Sequence, residues 1–227
     1  MSRTHPGEFT SLDQRAAQRA RGQSLTEFLV AMFGFGLLLL GLLQAILLYR
    51  AKTTIDYAAL EAARAGALHG ADMGQMRRGL ARGLTPLYAA ATASPSIAGT
   101  AEAYAKAYPD VLAFGTIQVL SPTTASFDDF KEAQYDGTMA LPNDTLNFRP
   151  TTVGSRGGLS IQDANILKIQ VTFKYPLIVP IIDRFIGTRD LLRSAAEGHT
   201  VYSTPITASA MVRMQSPITS RGNLPSP

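Results

Sequence analysis

The chain has 227 residues, with 21 Lys+Arg against 17 Asp+Glu and neither Cys nor Trp. Without cysteine it has no disulfide, thiolate zinc site, iron–sulfur cluster or thiol nucleophile. A formal charge of +4 carried by scattered basic residues does not mark a nucleic-acid binder, and Gly 19 with Pro 13 excludes a collagen-like or low-complexity chain. The length allows one domain with an extension, or two small domains.

The N-terminus is a short basic leader, with Arg3, Arg15, Arg19 and Arg21 set against Glu8 and Asp13. It leads into the octet Arg21-Gly22-Gln23-Ser24-Leu25-Thr26-Glu27-Phe28. Residues 28–49 then hold 22 positions without a charge, and Gln44 is the one strongly polar side chain among them. At 1.5 Å per residue such a helix covers roughly 30 Å, the hydrocarbon thickness of a bilayer, so a transmembrane helix is expected over 23–49. A cleaved secretory signal is shorter and ends on small residues, whereas this run meets Arg50 and Lys52. The basic asymmetry across the span is small and favours a cytoplasmic N-terminus, with the bulk of the chain exported.

The octet has two readings. Ser24 and Glu27 have the spacing of a capping box at a helix start. Glu27 also sits where hydrocarbon begins, and a carboxylate there is costly unless a cation joins it.

These residues resemble the prepilin-type processing site, in which a membrane peptidase cuts after a glycine and a glutamate stands fifth in the mature chain. Together with the Leu/Gly-rich span and the run Ala58-Ala59-Leu60-Glu61-Ala62-Ala63-Arg64-Ala65-Gly66-Ala67, the segment from about 21 to 70 looks like the TadE/TadG-like family of tight-adherence (Flp) pilus machines. A looser likeness lies in Lys174-Tyr175-Pro176 and in residues 208–213. The resemblance implies a minor pilin or pseudopilin in the bacterial inner membrane, with its C-terminal domain periplasmic. Gly22 and Gln23 would flank the cut, and Glu27 with Phe28 would serve peptidase recognition and assembly. The Glu27 carboxylate would neutralise the new α-amine of a neighbouring subunit, since an ion pair in lipid is far cheaper than two lone charges. The implied partners are a prepilin peptidase, other pilins or pseudopilins, the inner-membrane assembly platform and the bilayer, with no nucleic acid and no cofactor.

Beyond the span, residues 50–68 are alanine-rich and favour a helix. Ile55, Ala58, Ala59, Ala62 and Gly66 form a narrow small-residue face, and Lys52 and Asp56 are placed to pair. The expectation is a helical stalk over 50–85. Gly70, Gly74 and Gly79 should end its continuous part between Leu68 and Leu84. Gly41 with Ala45 and Ala58 with Ala62 have spacings that let helices approach closely in lipid. Arg77, Arg78 and Arg82 read as an ordinary solvated face.

Residues 86–227 are expected to form an exported α+β domain, giving a pilin-like fold with a long membrane helix before a small antiparallel sheet. Helices are expected at 101–108, 126–134 with a Ser cap, and 189–197. Strands are expected at 116–120, 167–175 and 207–214, with an edge strand near 146–148. The 167–175 signal is the clearest, because Leu167, Ile169, Val171, Phe173 and Tyr175 alternate with Lys168, Gln170, Thr172 and Lys174. The apolar segment 176–186, broken by Pro180, reads as a connector or as a surface lying on the membrane or a partner.

No catalytic motif stands out. His5, His69 and His199 are far apart in sequence, Asp128 and Asp129 fall on different faces of a helix, and no catalytic, cofactor-binding or metal residue is expected. Two further readings stay open. One is an unprocessed, membrane-anchored exported module that binds carbohydrate or peptidoglycan, and the other is a membrane enzyme whose site no motif reveals.

Overall fold

The computed structural model describes residues 9–89 and 96–226, with side chains from Ser24 onward. The first helix, α1 (Phe9–Leu68), is 60 residues long. It passes through Ser24 without ending, so the capping-box reading of Ser24 and Glu27 does not hold. Residues 9–21 contain neither Gly nor Pro and are rich in Ala, Gln and Arg, so nothing in them stops the helix.

α1 ends at Leu68, inside the expected window. Gly70 and Ala71 take left-handed backbone conformations, with φ of 59° and 61°. The Ala71 amide donates to the Gly66 carbonyl (2.8 Å), and the Gly70 amide donates to Ser216 Oγ (2.7 Å). The chain therefore turns back, and α2 (Met73–Ala89) lies antiparallel on the end of α1. A Cβ on Gly79 would stand 3.0 Å from Ala62 Cα, and one on Gly83 only 2.3 Å from Ala58 Cα. This close approach consumes the small-residue spacing of Ala58 and Ala62 within the chain itself. Residues 50–85, expected as a stalk, thus contribute Ile55, Ala59, Ala63, Leu80 and Leu84 to the same core as the sheet.

The third helix, α3 (Ile97–Phe114), is capped by Ser96, whose side chain accepts from the Gly99 amide. It is longer than the expected 101–108 and continues through Pro109. Ala103, Ala107, Val111 and Phe114 are buried along one face while Pro109 is exposed, so packing outweighs the one lost backbone bond.

These helices cover one face of a four-stranded antiparallel sheet. Its strands are β1 (Gly115–Ser121), β4 (Ile166–Pro176), β5 (Thr188–Arg189) and β6 (Tyr202–Arg213), in the order β1-β4-β6-β5. The alternation read from sequence sets the pleat. Leu167, Ile169, Val171 and Phe173 are buried, while Lys168 and Lys174 face out. The expected pairing of the two long strands is present, with Phe173 opposite Ile206 and Ile169 opposite Ala210, and Ile117 of β1 lies opposite Val171. Full burial of a side chain such as Phe173 contributes about 1.5–3 kcal/mol.

Between β1 and β4 lie α4 (Thr124–Phe130), the short hairpin β2 (Glu132–Ala133) and β3 (Met139–Ala140), a 3-10 turn at Leu146–Phe148, and α5 (Ile161–Ala164). α4 is shorter than expected, and its cap is Thr123, which accepts from the Ser126 amide. The expected edge strand near 146–148 is the 3-10 turn instead. Its carbonyls are met by a side chain rather than by a ladder, because Gln162 Nε2 donates to Leu146 O and Arg149 O at 3.0 Å. After β4 come α6 (Ile182–Ile186) and α7 (Leu191–Glu197).

Candidate membrane and assembly segment

α1 changes character along its length. Phe28, Val30, Phe33, Leu38 and Leu42 are all more than half exposed, and every residue from Ser24 to Phe35 is exposed. From Ala51 onward Ile55, Ala58, Ala59, Ala62 and Ala63 have no exposure at all. A helix that is apolar all round and uncovered has the length and composition to cross a membrane. The change falls at Gln44, which is fully buried and whose Oε1 accepts from the Val179 amide at 3.0 Å. That bond fixes the loop after β4 to the apolar helix. Farther along, Lys52 pairs with Asp56 as expected and also donates to the Thr207 carbonyl of β6 (2.9 Å), fixing the sheet to the same helix.

The backbone at Gly22 and Gln23 is helical, while their side chains lie outside those described. Glu27 and Phe28 are exposed on α1 one turn beyond. Gly41 has open space where a Cβ would stand, and Ala45 is exposed, so this pair remains available to another helix. Ala58 and Ala62 are not, since α2 covers them.

A charged network that the sequence did not suggest lies in the interior. Arg193 of α7 is 5% exposed, donates to Asp110 of α3 (3.1 Å) and lies 3.9 Å from the centroid of the Phe114 ring. Tyr88 of α2 donates to the same carboxylate (2.7 Å). Burial, then the bond to Asp110, pushes the Tyr88 phenol far above its ordinary range. The consecutive helices α2 and α3 are joined here to α7, 83 positions beyond Asp110, and no local pattern foretells it.

Beside it, Asp190 caps α7, accepting from the Arg193 amide (3.1 Å) and the Ser203 hydroxyl (3.0 Å). Burial opposes its ionisation, but these two bonds with Lys174 and Arg193 nearby outweigh it and hold the carboxyl below its ordinary value. A depressed carboxylate stabilises the fold fully above its unfolded pKa, about 3.9, and loses that contribution as pH falls through the folded value. Asp190→Asn is therefore expected to melt less steeply with acid than the wild type between pH 5 and the acid limit. Parallel melting curves with the same acid slope would refute this.

Asp128 pairs with Lys131 (3.1 Å) and Arg221 (2.9 Å), whereas Asp129 accepts from the Arg156 and Gly157 amides. The two acids point to different partners. His69 Nδ1 lies against the Ala65 carbonyl, and Arg77, Arg78 and Arg82 are exposed on α2. Among the described residues no three His, Cys, Asp or Glu side chains gather in a group that could hold a metal ion.

From Gly22 and Glu27 onward, α1 is thus first an exposed apolar helix and then a buried element of an α+β domain. Residues 22–64 match the family model of TadE-like protein. No curated protein and no solved structure matches the chain. The TadE-like segment begins at Gly22, includes Glu27 and Gln44, and ends inside the buried half of α1, so it spans the change from uncovered to covered helix. The TadE-like family implies involvement in tight-adherence pilus assembly, in a structural rather than a catalytic capacity.

Proposed function

We propose that this protein is a minor pilin or pseudopilin of a tight-adherence pilus system. A prepilin-type peptidase removes residues 1–22, and the chain assembles through the uncovered part of α1. The observation that carries this reading is the exposed apolar helix that starts next to Gly22 and Glu27 within the TadE-like match. In this reading residues 23–49 cross the bacterial inner membrane with the N-terminus cytoplasmic, and the packed domain is periplasmic. Its partners are the peptidase, other pilins or pseudopilins and the assembly platform.

Local physics favours the cut. A peptidase needs an extended scissile segment, and Gly22 is the poorest helix former apart from proline, disfavoured by about 1 kcal/mol relative to Ala. Unwinding α1 there costs less than at any neighbouring residue. Cleavage produces an α-amine at Gln23, a cation about one helical turn from Glu27.

N-terminal sequencing and intact mass of the protein from its native host test the proposal. The expected mature chain begins at Gln23, having lost four arginines and two acids, so that its formal charge falls from +4 to +2. Gly22→Ala is expected to leave the precursor uncut. A wild-type chain that retains residues 1–22 in cells bearing normal pili would instead support a permanently anchored exported module.

A further inference from the structure

We infer that residues 177–186 form a second membrane contact, inserting apolar side chains into the lipid boundary beside α1. This goes beyond the assembly role and rests on α1 crossing a bilayer. The segment alternates. Leu177, Val179 and Ile182 are buried, whereas Ile178 (65% exposed), Ile181 (48%), Phe185 (80%) and Ile186 (51%) point away from the domain. Ile181 is held at φ 74°, a conformation that β-branched residues rarely adopt. Leu191 and Leu192, in the first turn of α7, are also more than half exposed.

Position decides the occupant. The Val179 amide is bonded to Gln44, inside the uncharged run 28–49, so the loop meets α1 about 7.5 Å before Tyr49 along the helix axis. A hydrocarbon core of about 30 Å starting between Ser24 and Phe28 ends between Gln44 and Leu48. With either start, the point where the loop meets α1 lies at or below the lipid boundary, which places its exposed apolar side chains beside the uncovered part of the helix.

The loop's backbone suits that depth. The Leu177 amide donates to Tyr202 O, Asp183 to Val179 O, and Gly187 to Asp183 O, so these groups do not need water. The Asp183 carboxylate is turned back onto the Arg184 amide, and Arg184 and Arg189 are exposed where they can reach lipid phosphates. A bilayer contact on this side would fix the tilt of the whole domain on the membrane.

The absence of native cysteine makes the test direct. Full-length Phe185→Cys and Ile178→Cys, each labelled with a polarity-sensitive fluorophore, are placed one chain per nanodisc of phosphatidylethanolamine and phosphatidylglycerol. Leu38→Cys on the exposed membrane helix is the lipid reference. Tyr135→Cys, fully exposed between β2 and β3, is the water reference. Blue-shifted emission at 178 and 185, quenched by nitroxide lipids and protected from iodide, is expected. Emission and iodide quenching like those at 135, with 38 still lipid-buried, would overturn the second contact and leave the anchor intact. An aqueous signal at 38 as well would overturn both. Burial at 178 and 185 that arises only when two chains share a disc would overturn the lipid contact in favour of a second copy.

Discussion

Gly83→Ala is expected to lower the melting temperature of the packed domain by about 2–8 °C in detergent. The added Cβ would meet Ala58 Cα at 2.3 Å, over 1 Å inside van der Waals contact, and overpacking of this kind typically costs about 1–3 kcal/mol. In a domain of this size each kcal/mol moves the midpoint by about 2–4 °C. Alanine gains about 1 kcal/mol of helix propensity over glycine, so the clash must exceed that gain before any loss is seen. The nearest obstructing atom is backbone, with Ala58 Cβ next at 2.7 Å, and the two helices can answer only by moving apart. Ala58→Gly should therefore fail to rescue Gly83→Ala, because it removes a methyl and leaves the Cα in place. Gly36→Ala, with nothing within 4 Å, is the control and should not lower the midpoint. An unchanged or higher midpoint for Gly83→Ala would mean that α1 and α2 are not packed at this distance.

The same contact shows where sequence reasoning was limited. Gly79 and Gly83 are four residues apart, as are Ala58 and Ala62, and the two pairs face each other across antiparallel helices. From sequence, the small residues of α1 suggested contact with other subunits, and Gly79 suggested a weak helix end. Whether a small face meets a neighbour or the chain itself depends on the reversal at Gly70 and Ala71. That reversal is secured by Ser216, about 150 positions away.

Local patterns were legible where one periodicity dominated. The nine alternating residues of β4 gave both the strand and its buried face, and the uncharged run gave the long exposed apolar helix. Caps were harder to place, because Thr123 and Ser126 both carry a hydroxyl and only the fold decides which one accepts. Helix lengths were missed when a buried face outweighed a proline, as at Pro109. The Arg193, Asp110 and Tyr88 network was invisible, since its members lie on three helices with no shared spacing. Gln44 stood out as the one polar residue in the span. Its partner, a main-chain amide 135 residues later, has no sequence signature.

Glu27→Ala is expected to reduce incorporation into the pilus system by up to about a hundredfold while membrane insertion and protein level stay normal. The estimate follows from the proposed ion pair. A lone charge at the centre of a membrane helix costs about 2.5–3.5 kcal/mol on insertion scales, roughly 70- to 400-fold, which sets the upper bound for an amine at the start of the span. In this mechanism the amine of cleaved Gln23 on one subunit enters lipid beside Glu27 of the next, and without the carboxylate it enters alone. Because Glu27 is also a proposed peptidase contact, the variant must be compared as cleaved chain, with N-terminal sequencing to fix the processed fraction. Glu27→Asp retains the charge on a shorter arm and should recover part of the loss. Glu27→Gln, nearly the same shape without the charge, should not. The three variants thus separate charge from packing, a distinction that alanine alone does not make. If the Gln and Ala variants, once processed, assemble like the wild type, the subunit contact does not depend on that carboxylate and the ion-pair mechanism fails, even if cleavage after Gly22 stands.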